Sequence, residues 1–340
     1  MKRVFPLSFL SAFLAFLPVH AKPGDHRFFH SDYIEYIQGD LPVILSAPHG
    51  GSLLPVECPN RVADTLKAVS DQNTEELTLE LVAMVFKASG HFPHAVINHL
   101  HRIKLDPNRD PADSLEPPFV NDSGKAAWIA YHAFLDSAEA KMEAQYGKGM
   151  LFDLHGHQHV LARVELGYLI SNFQLRRDDQ NLVKLEAASS LGPVAAKSSV
   201  SFPELVRGAR SFGGYLEGKG IPAVPSPHYP HNDTNPFFSG GTTLRLHCLA
   251  ANGSIGGMQI ELPLAGYRNS QAVRAAWNSL FWGVVRDYMQ VHSGLELPAL
   301  PIGVKPPKSR PGKKPRKPGA SGLSSVNGRQ STAKLLILFP

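Results

Sequence analysis

The 340-residue sequence predicts an α/β fold with a mixed, mainly parallel central sheet flanked by helices. Three observations favour this class. Short apolar runs that suit buried strands alternate with segments whose apolar residues recur at helical spacing. Hydrophobic residues make up 43% of the chain and charged residues only 19%, which indicates a globular protein with a sizeable core. Polar residues follow several predicted strands, at the sheet edge where α/β proteins bind ligands.

The predicted elements alternate along the body of the chain. The strands are expected at 41–46, 95–98, 150–154, 165–170 and 258–262, and the helices at 70–85, 125–146 and 270–291. Ser70 is predicted to cap the first helix, whose apolar positions Leu77, Leu81 and Val85 share one face. Strands that alternate with helices favour parallel pairing.

The amino terminus differs from the rest of the chain. Residues 1–21 are typical of a secretory signal peptide, with Lys2 and Arg3 before an apolar run and a Val19-His20-Ala21 cleavage site. A membrane anchor is the alternative, but the apolar stretch is short and two prolines interrupt it. We therefore expect cleavage, a secreted protein and no membrane span.

The carboxyl terminus carries most of the excess positive charge. Residues 298–340 are rich in Pro, Lys, Gly and Ser and contain no acid, which predicts a disordered, solvated tail. Without the two basic leader residues and the nine in the tail, 23 basic residues face 29 acidic ones. Residues 22–297, the expected folded domain, are therefore acidic, and nucleic-acid binding is not expected. Polyanion contact through the tail is an alternative to simple solvation.

Secretion gives the cysteines and three asparagines a possible role. Cys58 and Cys248 are candidates for a disulfide in an oxidising compartment, and two buried free thiols are the alternative. Asn121, Asn232 and Asn252 each begin an Asn-x-Ser/Thr sequon and are glycosylation candidates.

Two histidines at the ends of predicted strands, His49 and His155, are candidate zinc ligands. A catalytic zinc needs three protein ligands and an open position for water. Asp71 is preferred as the third ligand because we place it in the opening turn of a helix, and Glu75 and Glu76 are the alternatives. The spacing alone is a weak signal, since the chain has 16 histidines.

A second set of side chains suits substrate binding and proton transfer. Asn108 and Arg109 place an amide beside a guanidinium, a pair that suits a substrate carboxylate; an ion pair of Arg109 with Asp106 or Asp110 is the alternative. Glu261 is a charged residue within an apolar strand. Burial raises the pKa of a carboxylate and suits a general base, whereas a paired structural Glu is the alternative.

Further candidates complete the site. His157 and His159 are alternative metal ligands or hydrogen-bond partners of the ligands, and Arg102 is a further candidate for substrate binding. A serine nucleophile is disfavoured because there is no Gly-x-Ser-x-Gly elbow, and Ser239 lacks the glycine on its amino side. The cysteines have no catalytic context, and no phosphate-binding loop or dinucleotide fingerprint occurs.

Five segments together resemble the N-formylglutamate amidohydrolase family. They are Val43-Ile-Leu-Ser-Ala-Pro-His-Gly-Gly51, Ser70-Asp-Gln-Asn-Thr-Glu-Glu-Leu77, Leu105-Asp-Pro-Asn-Arg-Asp110, Asp153-Leu-His155 and Gln259-Ile-Glu-Leu262. The resemblance spans about residues 36–290. It implies the phosphorylase/hydrolase-like fold of the zinc carboxypeptidases and aspartoacylases. Those relatives have a His-x-x-Glu metal pair, whereas Ser52 stands at the position of the Glu here, so the acidic ligand is implied to come from the following helix.

The resemblance also implies roles for the candidates. The implied zinc ligands are His49, an acidic residue near Asp71, and His155; Asn108 and Arg109 would hold a carboxylate, and Glu261 would act as base. The expected function is a secreted zinc-dependent hydrolase of a linear amide bond in a carboxylate-bearing substrate, such as an N-formyl or N-acyl amino acid. The alternatives are a secreted zinc carboxypeptidase that acts on peptides and a non-catalytic extracellular binding protein.

Overall fold

The computed structural model describes residues 21–30, 32–62, 67–111 and 117–300. The predicted signal peptide, apart from Ala21, and the predicted tail beyond residue 300 lie outside them. The strands in this part of the chain are β1 (His26–Phe29), β2 (Ile34–Ile37), β3 (Val43–Ala47), β4 (His94–Asn98), β5 (Gly149–His157), β6 (Val164–Gly167), β7 (Ala223–Val224) and β8 (Ile255–Pro263). The α-helices are α1 (Thr74–Ser89), α2 (Asp122–Tyr146), α3 (Asn172–Leu175), α4 (Asp179–Leu182), α5 (Gly192–Ala195), α6 (Phe202–Arg207), α7 (Phe212–Gly218), α8 (Thr242–His247) and α9 (Gln271–Ser293).

The strands of the described residues form one sheet in the order β1-β2-β4-β3-β5-β8-β6-β7. The four central strands, β4, β3, β5 and β8, run parallel to one another. At one side β2 is antiparallel to β4 and β1 to β2, and at the other β6 is antiparallel to β8 and parallel to β7. The prediction of a mixed, mainly parallel sheet flanked by helices is therefore confirmed.

Helices cover both faces of the sheet. Successive residues of a strand point to opposite faces, so Leu45 and Ile44 in β3 belong to two different hydrophobic clusters. The cluster with Leu45 includes Leu81 of α1 and Phe281 of α9, whereas the cluster with Ile44 includes Tyr131 of α2. Burial on both sides explains why the central strands are continuous apolar runs in the sequence.

The first helix begins later than predicted. Expected at 70–85 with Ser70 as its cap, α1 begins at Thr74 after Asn73, which has a left-handed backbone (φ 65°) and no side-chain cap. The Ser70 hydroxyl instead donates to the carbonyl of Gly51 (3.3 Å). Residues 70–73 thus form a connection that is held against the loop after β3, and the helix prediction was wrong in this turn.

Other boundaries agree more closely. The predicted long helices correspond to α2, capped by Asn121, and α9, capped by Ser270. The strand predicted at 165–170 ends at Gly167, and Leu169 beyond it adopts a positive φ of 61° that does not continue a strand. The first two strands were not predicted, because each has only four residues and β1 has no buried face.

The packing extends past the predicted domain boundary at residue 297. The indole Nε1 of Trp282 donates to the carbonyl of Pro298 (2.9 Å), and Leu300 packs against the core. None of the helices in the described ranges is long and apolar enough to cross a membrane.

The cysteines and sequons occupy different environments. Cys58 and Cys248 are both buried free thiols, which corresponds to the alternative given for them and not to the candidate disulfide. The candidate glycan acceptor Asn232 has a buried side chain, whose amide nitrogen donates to the carbonyl of Pro236 (2.5 Å). Asn252 is exposed, and Asn121 is partly exposed while it caps α2.

Candidate metal and active site

The candidate site lies where the central parallel strands end. Strand register aligns its members, because His155 of β5 pairs with Glu261 of β8, and Asp153 pairs with Gln259. Paired residues on neighbouring parallel strands point to the same face, so these four side chains lie together. The loop that follows β3 brings His49 to the same edge, as expected for an α/β ligand site.

Three buried side chains, those of His49, Asp71 and His155, bring ligand-type atoms within 4.8 Å of one another. The Oδ2 atom of Asp71 lies 3.2 Å from Nδ1 of His49 and 3.2 Å from Nδ1 of His155. Ligands about 2.0–2.1 Å from a tetrahedral zinc lie about 3.3 Å from each other, so both spacings fit such an ion. The three residues can hold a zinc ion.

The connection before α1 places the carboxylate. The backbone N–H of Asp71 donates to the carbonyl of His49 (2.9 Å), and the hydroxyl of Thr74 donates to the carbonyl of Asp71 (2.8 Å). The N–H of Gly156 donates to Oδ2 (3.1 Å). Asp71 therefore comes from the turn before the helix and not from the helix itself.

Each imidazole is oriented by a second carboxylate on its far side. Nε2 of His49 lies 2.6 Å from Oδ1 of Asp106, and Nε2 of His155 lies 2.8 Å from Oδ2 of Asp153. A carboxylate accepts the Nε2–H, so Nδ1, which faces Asp71, is the ring atom that a metal ion could use. Metal-ligating histidines have this arrangement, because the outer carboxylate fixes the ring tautomer and raises the basicity of the ligand.

The electrostatics keep the carboxylates of Asp71 and Asp106 charged. Burial alone would raise the pKa of Asp71, but His49 and His155 hold it well below its usual range. Burial also opposes ionisation of Asp106, and His49 with Arg102 hold the pKa of that carboxyl well below its ordinary value. For His155 burial acts to lower the pKa, and Asp153 and Asp71 raise it well above the usual range.

Asp106 was considered in the sequence only as an ion-pair partner, yet it connects several residues of the site. Oδ1 accepts from His49 and from the backbone N–H of Asn108 (3.1 Å), while Oδ2 accepts from Nε of Arg102 (2.9 Å). Asp153 was also missed as a functional residue, although it lies two residues before His155 and a strand places such residues on one face.

The predicted substrate-binding residues differ in their accessibility. Asn108 is buried, its Oδ1 accepts from the backbone of Thr243 (2.9 Å), and its Nδ2 lies 3.3 Å from both Gln259 and His155. Arg102 is buried against Asp106, with Nη1 3.6 Å from Oδ1 of Asp71.

Arg109 is the most accessible of the predicted substrate-binding residues. Its side chain is 24% exposed, and Nε lies 3.9 Å from Oδ2 of Asp106. Arg102 and Arg109 both lie close enough to Asp106 to offset part of its negative charge. They would therefore not interact with a substrate carboxylate alone.

The alternative metal ligands are occupied elsewhere or face solvent. Glu75 Oε1 lies 2.9 Å from Nδ1 of His99, and Glu76 is exposed. His157 donates from Nε2 to the carbonyl of Arg163 (2.8 Å), while its Nδ1 accepts from the backbone of His159 (3.1 Å). His157 does form a second close group with His159 and Glu165, but both of its ring nitrogens are already bonded.

Glu261 lies beside the cluster with part of its carboxylate unsatisfied. Oε1 accepts from Nε2 of Gln259 (2.8 Å) and lies 4.0 Å from Nδ1 of His155. Oε2 is buried and has no hydrogen-bond partner among the described residues. Burial raises the pKa of Glu261 to about 8; His155 opposes this rise, and the negative charge of Asp71 adds to it. A buried carboxylate oxygen without a donor can accept a proton.

Arg268 is a further cation that the sequence analysis missed. Its buried guanidinium lies where a Cβ on Gly156 would be, so a side chain at that position would require Arg268 to move. Nε donates to the carbonyl of Leu262 (3.3 Å), and Nη1 donates to the carbonyl of Gln72. The glycine of the His-Gly-His segment was a signal for such a close approach.

Among known proteins, the chain is similar to several solved structures. No protein-family model matches the chain. No curated protein matches its sequence. The N-formylglutamate amidohydrolase from Ralstonia eutropha JMP134 is 17% identical, with a TM-score of 0.46, over 77% of this chain and 99% of that one. A gene product from Agrobacterium tumefaciens is 14% identical, with a TM-score of 0.46, over 78% and 98%. The succinylglutamate desuccinylase from Chromobacterium violaceum is 13% identical, with a TM-score of 0.32, over 79% and 67%. One of these structures is thus a member of the family that the sequence motifs resemble.

Proposed function

We propose that the protein is a zinc-dependent hydrolase of a linear amide bond in a carboxylate-bearing substrate, such as an N-formyl or N-acyl amino acid. One observation carries the proposal. A buried carboxylate oxygen without a donor, Oε2 of Glu261, belongs to a side chain whose other oxygen is 4.0 Å from Nδ1 of His155. That nitrogen belongs to the His-Asp-His cluster.

The chain's own residues fit the metal that this chemistry needs. His49, Asp71 and His155 would hold the ion, and Asp106 and Asp153 orient the two imidazoles. When bound, zinc supplies Lewis acidity, which lowers the pKa of water to about 7 and polarises an amide carbonyl.

Glu261 provides the proton transfer. Its carboxylate takes a proton from the attacking water at Oε2 and returns it to the amide nitrogen as the carbon–nitrogen bond breaks. Gln259 holds Oε1 by a hydrogen bond of 2.8 Å and leaves Oε2 for this task. The products are a carboxylate from the acyl group and a free amine, so the reaction balances with one water.

Arg109 supports the choice of a substrate with a free carboxylate. Its partly exposed guanidinium follows directly on the buried Asn108, close to the cluster through Asp106. A guanidinium can bind a carboxylate through two parallel hydrogen bonds and so align the amide. Secretion remains part of the proposal and is supported by the composition of residues 1–21.

The test measures hydrolysis by zinc-loaded protein. The panel contains N-formyl, N-acetyl and N-succinyl amino acids, the same compounds with the carboxylate amidated, and short peptides. We expect release of the acyl acid from the free-carboxylate compounds, little turnover of the amidated ones, and loss of turnover in His49→Ala. Release of carboxyl-terminal amino acids from the peptides would favour the peptidase. Zinc-loaded, folded protein that hydrolyses none of them would favour the binding protein and overturn the proposal.

A further inference from the structure

A second group of ligand-type side chains lies on the other side of the sheet from α1 and α9. Asp136 and Glu139 lie one turn apart on α2, and His247 is the last residue of α8. Their ligand atoms lie within 4.8 Å of one another. Nδ1 of His247 is 3.1 Å from Oε1 of Glu139 and 3.4 Å from Oδ1 of Asp136.

The far side of His247 fixes its tautomer. Nε2 of His247 lies 2.9 Å from Nδ1 of His132, and Nε2 of His132 lies 3.0 Å from the carbonyl oxygen of Pro107. A carbonyl only accepts, so His132 donates from Nε2. A positive charge on the buried His132 would be costly, since in the described residues no carboxylate bonds its ring. Its Nδ1 therefore accepts, and Nε2 of His247 donates.

The near side of His247 then faces two carboxylates. With the proton on Nε2, a neutral His247 turns a lone pair towards Asp136 and Glu139, so three electron-rich atoms face one another unless a proton or a metal ion lies between them. A second proton on Nδ1 would stabilise this group only if the N–H pointed at one of the carboxylate oxygens. Within the described residues, neither Nδ1 of His247 nor Oε1 of Glu139 has a partner in hydrogen-bond geometry, although His247 is only 4% exposed.

We propose that Asp136, Glu139 and His247 form a second binding site for a divalent metal ion, with zinc as the expected ion. The two nitrogen–oxygen spacings, 3.1 and 3.4 Å, bracket the separation of about 3.3 Å between ligands of a tetrahedral zinc. One imidazole and two carboxylates are zinc donors, and the partly exposed Asp136 leaves a route for the ion to enter. His132 orients the histidine ligand from behind, as supporting residues do in metal sites.

The second site is connected to the loop that contains Asp106, which orients His49 in the first site. His132 bonds the carbonyl of Pro107, which lies between Asp106 and Asn108. An ion at His247 would therefore stabilise the loop whose Asp106 orients His49. We assign the second ion a structural role, because the hydrogen bond and ion pairs of its three proposed ligands involve neither Glu261 nor the His49, Asp71 and His155 group.

The test is the zinc content of the full chain after removal of excess metal. Metal analysis should give two zinc ions per chain in the parent protein and one in Glu139→Gln, which keeps the shape and removes the charge. Glu143→Gln is the matched control, since it lies one turn further along α2 and Gln retains the oxygen that accepts from Ser254. It should keep two ions.

A second variant separates this site from the catalytic one. Replacing both His49 and His155 by Ala should leave one zinc ion, and adding Glu139→Gln should remove it. If Glu139→Gln fails to fold, Asp136→Asn gives the same reading at a more exposed position. One ion in the parent and none after loss of His49 and His155 would overturn the second site while leaving the proposed function intact. One ion that is retained in that double variant and lost with Glu139→Gln would support the second site and count against the first.

Discussion

The imidazole of His49 is held 2.6 Å from the carboxylate of Asp106, 57 residues further along the chain, and this contact turns the other ring nitrogen towards Asp71. The same carboxylate accepts a hydrogen bond from Arg102. One buried group therefore both orients a proposed metal ligand and offsets the charge of an arginine. In the proposed metal site, Asp106 thus supports the ligand His49 without being a ligand itself.

Replacing Asp106 by Asn tests that role. The neutral amide would weaken the hold on the His49 ring and lower the basicity of Nδ1, so zinc affinity should fall about 10- to 100-fold. Competition with a chelator of known affinity measures the change. Asp122→Asn, at an exposed carboxylate on α2, is the control and should leave affinity unchanged. Unchanged zinc affinity in folded Asp106→Asn would show that Asp106 only stabilises the fold.

Removal of either histidine ligand should lower the zinc content. His49→Ala and His155→Ala should each lose one zinc ion per chain, because Asp71 and one imidazole are too few donors for a tight site. His91→Ala is the control, since His91 is exposed and pairs with Asp40 away from the cluster. Full retention of zinc in both ligand variants would contradict the assignment.

Glu261→Gln should separate turnover from binding. Loss of the base should lower kcat by about 10²- to 10⁴-fold, while KM and zinc content change little, because the amide keeps the shape of the side chain. Glu165→Gln is the matched control, since Glu165 is a buried Glu that pairs with Glu261 across β6 and β8 but bonds His159 and the backbone of Phe238. If the control lost more kcat than Glu261→Gln, the assignment of Glu261 as the base would be wrong.

The stability of the fold should depend on pH through His99. Burial acts to lower the pKa of His99, but bonds to Glu35 (3.0 Å) and Glu75 (2.9 Å) outweigh it and raise the pKa to about 9 from an ordinary 6.5. The folded state holds this proton more tightly than the unfolded state does. The contribution is therefore complete below pH 6.5 and is lost as the pH rises through about 9.

The measurement is the free energy of unfolding between pH 6 and 10, compared between the parent and His99→Gln. The difference between the two proteins should shrink across this window, since other titrating groups contribute to both. A difference that stays constant from about pH 6 to 10 would mean that His99 is not held as a cation.

Truncation should locate the end of the folded region. Deleting residues 301–340 should leave Tm unchanged, because the composition of that segment favours solvation. Deleting residues 298–340 should lower Tm, because it removes the carbonyl that accepts from Trp282 and the packing of Leu300. Equal Tm values for the two truncated proteins would contradict the role of these last residues.

Much of the fold was predictable because its signals are local. The central strands are continuous apolar runs, and the long helices have side-chain caps at Asn121 and Ser270. The start of α1 was mispredicted, since Ser70 is a good helix cap in isolation and only its contact with Gly51 shows otherwise. The placement of Ser70 depends on Gly51, which belongs to a different loop of the chain.

The site was predictable where strand ends carry its residues and unpredictable where long-range contacts do. His49, His155 and Glu261 follow or lie within apolar strands, so position along the chain identified them as candidates. The role of Asp106 and the place of Arg268 depend on contacts that sequence patterns do not encode. Arg268, for example, meets a glycine more than 100 residues earlier in the chain.

The pairing of His155 with Glu261 has a consequence for the order in which the protein is made. A ribosome synthesises the chain from its amino terminus, so His49, Asp71 and His155 emerge well before β8. A growing chain thus contains all three proposed metal ligands while it still lacks the proposed base. Because β5 pairs with β8 along its whole length, the place of His155 in the finished sheet nevertheless requires the strand that carries Glu261.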